Sequence, residues 1–132
     1  MKMPIFLKLL TFVCFLSALF PFIMAIPSDE YFINNHPVTY EEFWKFGGGT
    51  FFIITGLLHP IIGLLFIKKK SIGRVLLVGF IVTIFVAESV AGIFVEIYRK
   101  NLASVLQTGL IVGLLTWYLF YKNSVKEYFT SK

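Results

Sequence analysis

Two ionisable side chains stand inside runs of sequence that are otherwise apolar, and any chemistry would begin with them. His59 lies in "TGLLHPIIGLL", residues 55–65, and Glu88 is the one acid within the run 75–95. In apolar surroundings a carboxyl group and an imidazole are costly, and such residues characteristically bind a small polar ligand, carry an ion or pass a proton. Nothing nearby turns that pair into an enzyme. The chain has no Gly-rich phosphate loop, no H-E-x-x-H, no G-x-S-x-G and no CxxC, so a non-enzymatic role without a cofactor is expected. Cys14 is the single cysteine and reads as a small packing residue. His36, in "NNHP", has only scattered carboxylates around it, too little for a metal site.

Helical depth tells which other polar residues could join the pair. At about 1.5 Å per residue, His59 lies roughly 13 Å from Lys68 and Glu88 roughly 21 Å from Arg74. Side chains lean toward the N-terminus of their own helix, so in antiparallel neighbours the two lean toward each other. The same count sets Gln107 level with Glu88 and Ser17 level with His59, and Thr55 and Thr83 complete a polar cluster. The competing reading is structural, since polar side chains between membrane helices serve as glue worth about 0.5–2 kcal/mol each. Ser17, Thr83 and Gln107 fit that reading readily. His59 and Glu88 fit it less well.

The elements that must hold these residues follow from composition. Of 132 residues, 58% are hydrophobic and 14% charged, and the mean hydropathy is +0.84, far outside the range of a soluble domain. Four runs, 5–26, 50–67, 75–95 and 102–121, each approach the roughly 20 residues a helix needs to cross a bilayer. The fold predicted is an all-α integral membrane protein: one domain, 1–132, forming a four-transmembrane-helix antiparallel bundle. Strand-like alternation is missing from the runs, which argues against a barrel. The first run also resembles a secretory signal, with Lys2 and Lys8 ahead of it and Ala25 at its end. Its apolar length and Pro21 favour a retained span.

Basic residues set the expected orientation. Lys2, Lys8, Lys68, Lys69, Lys70, Arg74, Lys122, Lys126 and Lys132 share one side, against Lys45, Arg99 and Lys100 on the other. Both termini are therefore expected in the cytoplasm, with the protein in the cytoplasmic (plasma) membrane. The positive charge reflects topology and anionic lipid, and gives no support to nucleic-acid binding. Phe43, Trp44 and Tyr98 would form an outer aromatic belt, and Trp117, Tyr118 and Tyr121 an inner one.

The loop 27–49 carries one recognisable device. In "HPVTYEEFWKFGGG", Thr39 and Glu42 make a capping box for a short extracytoplasmic amphipathic helix, which Gly47, Gly48 and Gly49 then end. It reads as an interfacial connector rather than a lid. In the second run Gly49, Gly56 and Gly63 recur every seven residues with Pro60 on nearly the same face, and Ala91 and Gly92 flank Glu88 in the third. These small residues predict close helix packing, and Pro60 predicts a bend that frees the Gly56 carbonyl.

The size and four-span layout resemble the small multidrug transporters and the small fluoride channels, both of which work as dimers. The transporters' essential glutamate belongs to the first span, which here has none, and the channels' asparagine and phenylalanine pattern does not map onto these spans, so no residue is carried over from either family. Two function classes remain. One is a small polytopic membrane protein whose polar cluster binds or transports a small ligand, ion or proton. The other is an accessory, scaffold or immunity-type protein that docks a membrane-protein partner or a second copy of itself.

Overall fold

The computed structural model describes residues 2–28, 30–33, 36–98 and 102–131. Arg99, Lys100 and Lys132, which entered the charge argument, lie outside the described residues. Four helical segments are long and apolar enough to cross a membrane: Ile5–Met24, Gly48–Ile67, Ile72–Phe94 and Leu102–Tyr121. The fourth has the bounds expected from sequence, and the others differ from expectation by a few residues at their ends.

The first segment is not one uniform helix. It runs as α1 (Ile5–Leu16), a single 3₁₀ turn (Ser17–Leu19) and α2 (Phe20–Met24). Pro21, near the start of α2, has no N–H to give to the preceding turn, so the tighter turn falls just before it. Next comes a finding that corrects the all-α expectation. Residues Tyr31–Ile33 (β1) and His36–Val38 (β2) pair antiparallel, with Tyr31 opposite Val38 and Ile33 opposite His36. Tyr31 and Val38 point to one face and are buried there with Phe43, an alternation of period two too short to stand out beside the long apolar runs.

The short helix follows as α3 (Tyr40–Lys45), and it starts with both halves of the capping box. The Glu42 N–H donates to the Thr39 hydroxyl at 3.2 Å, and the Thr39 N–H donates to the Glu42 carboxylate at 2.9 Å. Gly47 then takes φ +83°, a left-handed conformation open to glycine, and α4 (Gly48–Ile67) begins at once. Pro60 lies inside α4 without ending it. A tight turn leads to α5 (Ile72–Phe94), a 3₁₀ turn spans Glu96–Tyr98, and α6 (Leu102–Tyr121) and α7 (Asn123–Thr130) complete the described chain.

Packing follows chain order: α1 and α2 lie on α4, α4 on α5, α5 on α6, and α6 on α7. The glycines of α4 set the first of these contacts. A Cβ at Gly56 would strike the Pro21 ring and come within 3.1 Å of the Ser17 carbonyl, and one at Gly63 would meet Phe15 at 3.2 Å. At Gly49 the obstacle is the Trp44 indole. The small-residue face of α4 is therefore turned inward, toward the first segment and α3.

The two ends of the molecule differ. At the end carrying Lys68 and Arg74, here the basic end, Leu7, Ile62, Phe66, Leu119 and Val125 are wholly buried in one cluster drawn from α1, α4, α6 and α7, with Leu77 of α5, Tyr128 and Phe129 beside them. Sequence reading gave no sign of α7, because "NSVKEYFT" resembles a solvated tail; its Val125, Tyr128 and Phe129 nonetheless share one face. The Tyr128 hydroxyl donates to the Phe66 carbonyl at 3.0 Å. Arg74 donates to the Leu119 carbonyl at 3.0 Å, with its guanidinium 4.7 Å from the Phe129 ring centre. The Lys69 ammonium reaches the Ser131 hydroxyl at 3.0 Å. At the opposite end, which bears the hairpin, α5 and α6 expose most of their surface.

Candidate functional site

At the hairpin end, α3, the hairpin and the facing surfaces of α4 and α5 enclose a pocket of about 390 Å³. The spacing of apolar residues brings this about: Phe51 and Phe52 on α4 look across at Ile84, Ala87, Glu88 and Ala91 on α5, while Phe43 and Phe46 reach in from α3 and Phe32 from β1. The aromatic residues are braced against one another. Tyr31 stacks on Phe43 with centroids 4.6 Å apart, and Phe52 meets Phe20 edge-on at 5.5 Å. The short helix thus forms part of a pocket wall, whereas sequence reading favoured a plain connector. The Tyr98 hydroxyl donates to the Phe46 carbonyl at the C-terminal end of α3, tying that wall to the end of α5. Burial, and then the charge of Glu88, push the Tyr98 phenol above its ordinary pKa.

Glu88 also lines a second cavity of about 270 Å³, deeper between α4, α5 and α6, together with Phe51, His59, Phe80, Ile84 and Thr108. The two cavities share Phe51, Ile84 and Glu88. His59 is half-buried, its ring edge-on to Phe80 at 5.4 Å and 83°. Its Nε2 is buried and takes no hydrogen bond from the described residues. A cavity of this size has room for several waters at about 30 Å³ each, and His59 and Glu88 both line it.

The other polar residues singled out from sequence are placed differently. Ser17 and Thr55 are buried but satisfied within their own turns, Ser17 by the Cys14 carbonyl at 2.7 Å and Thr55 by the Phe51 carbonyl at 2.8 Å. Both lie at the contact between the first segment and α4, in keeping with a packing role. Thr83 and Gln107 are exposed and line neither cavity. Counting residues gives height along a helix and leaves open the direction around its axis. On α6 the residue that faces the cavity is Thr108, one position and about 100° further round than Gln107. Ala91 lines the upper pocket, and Gly92 and Pro60 are half-buried.

Sequence reading missed the aromatic walls Phe51, Phe52 and Phe80, because phenylalanines are common along the whole chain and their spacing alone marks no pocket. Their placement depends on the left-handed turn at Gly47 and on the register of α4 against α5. Among the described residues no three His, Cys, Asp or Glu side chains gather in a way that could hold a metal ion. No protein-family model, curated protein or solved structure matches the chain.

Proposed function

We propose that the chain is an integral membrane protein whose four apolar helices cross the bilayer as one antiparallel bundle, basic end in the cytoplasm, and that it binds a small ligand for transport or sensing. The site is the pocket at the hairpin end. The observation that carries this reading is its make-up: about 390 Å³ of space walled mainly by phenylalanines, with Glu88 and Tyr98 as the ionisable residues of its lining. That is the general make-up of a ligand site, apolar walls for affinity and a few polar groups for orientation. It suits a small, mainly apolar molecule with one hydrogen-bond-donating group directed at Glu88. The fold supplies the access, since the wall formed by α3 hangs on the Gly47 hinge.

The test is photolabelling in liposomes with a small aryl diazirine that carries an amide. Labels should concentrate in 43–52 and 84–91, and Glu88→Gln should weaken site labelling about tenfold, the loss of one hydrogen bond to a charged group. Labels spread evenly along all lipid-facing surfaces would overturn the reading. A docking role, the second reading, draws on the open faces of α5 and α6, where Gly79, Gly109 and Gly113 have nothing within 4 Å of an added Cβ. It is favoured if the protein co-purifies stoichiometrically with a membrane partner and the pocket takes no label.

A further inference from the structure

The deeper cavity has a role distinct from that of the pocket above it. We infer that His59 and Glu88 form one linked proton-binding site, loaded through the pocket at the hairpin end, so that the proton is a co-ligand of this protein. The inference rests on the proposed reading in one respect, that Glu88 belongs to the ligand pocket.

Three observations carry it. His59 and Glu88 line the same half-open cavity, whose volume of about 270 Å³ has room for water. Glu88 belongs to both cavities, so a proton or a ligand coming from the hairpin end meets it first. The Nε2 atom of His59, buried and without a protein hydrogen bond, has yet to find its partner in that space. Toward the basic end from His59, the side chains of Ile62, Phe66, Leu7 and Leu119 are wholly buried in one apolar cluster.

No other described charge competes for the imidazole. From α1, packed on α4, Cys14 lies against Gly63, a turn below, and Lys8 is exposed. From α3, Glu41, Glu42 and Lys45 are exposed at the far end. From α5, Arg74 is held at the basic end by Leu119 and Phe129, which leaves Glu88. From α6, Thr108 contributes a hydroxyl. Protonation of His59 and ionisation of Glu88 then favour each other, and by linkage whatever occupies the pocket and changes the charge of Glu88 also changes the protonation of His59.

The sequence makes the test clean, because His36 and His59 are the two histidines and His36 is exposed on β2. In the His36→Gln background, full-length protein in lipid nanodiscs, labelled with ¹⁵N-histidine, is titrated by NMR. His59 should titrate, and Glu88→Gln should lower its midpoint by about 0.5 pH unit or more, as expected for two charges across a wet cavity. Glu88→Asp, which keeps the charge, should lower it less and serves if the Gln variant does not fold. An imidazole that stays neutral down to about pH 4, or a midpoint that Glu88→Gln leaves in place, overturns the inference. The photolabelling result is read separately. A linked titration in a protein whose pocket takes no label would uphold the proton site and remove the ligand site, and labelling without linkage would do the reverse.

Discussion

At the scale of single residues, glycines of identical chemistry do opposite jobs in this chain. Gly56 is buried where a methyl group would strike Pro21, so Gly56→Leu should cost more than the usual 1–3 kcal/mol of overpacking. Gly109 has open space around it on α6, and Gly109→Ala should be neutral or stabilising by about 0.5–1 kcal/mol. Thermal midpoints of the two purified variants check both, and a Gly56→Leu protein as stable as wild type would contradict the packing described. The face of α4 was legible in the sequence because its glycines repeat every seven residues. His59 and Glu88 were legible too, as ionisable residues in apolar runs. Thr108 was not, because a residue count gives height along a helix and leaves direction about its axis to the neighbours that pack against it.

At the scale of elements, two sets of hydrogen bonds hold α3 in the pocket wall. One fastening is the cap, which stabilises the helix start, so Thr39→Ala should destabilise α3 by about 1 kcal/mol. The cap is also acid-sensitive. Backbone and side-chain hydrogen bonds from Thr39 hold the Glu42 carboxyl below its ordinary value of 4.5. A lowered folded-state value means the stabilisation is complete above the ordinary value and is lost as pH falls through the lowered one. Amide exchange in 40–46, corrected for the intrinsic acid dependence of exchange, should therefore accelerate on acidification below about pH 4, and Glu42→Gln should abolish that dependence. The other fastening is the bond from Tyr98 to the Phe46 carbonyl. Tyr98→Phe should speed exchange at the same amides about tenfold and raise labelling of Phe51 and Phe52, the expected result of losing one hydrogen bond. Unchanged exchange would show that the wall holds without Tyr98. The capping box could be read from four letters of sequence. The Tyr98 bond joins residues 52 positions apart, and no local pattern announces it.

At the scale of the whole molecule, one end is closed and the other open. The four apolar helices could be read from composition because each repeats a single demand, about 20 predominantly apolar residues. The closure by α7 could not, because its eight residues bury only three side chains and their value depends on four other helices being in place. Tyr128→Ala should loosen that closure: it removes a buried ring and a hydrogen bond to Phe66, for a loss of about 3–5 kcal/mol. A stop codon in place of Lys122 should have a larger effect. Sidedness has its own check. With Cys14→Ser as background, a cysteine at Lys126 should react with a membrane-impermeant maleimide only after cell lysis, and one at Glu41 in intact cells; the reverse pattern would invert the orientation proposed.

The buried cluster at the basic end also sets a timetable. Its members come from residue 7 through residue 129, so it joins the first described helix to the last. During synthesis the first three spans are complete while this cluster still lacks Leu119, Val125, Tyr128 and Phe129. Until α7 emerges, the chain must be held by the glycine-mediated contact of α4 with the first segment, and local pairing precedes long-range closure, as loop entropy favours. The seal thus forms only after α7 has been made, and a chain released before Phe129 would lack it.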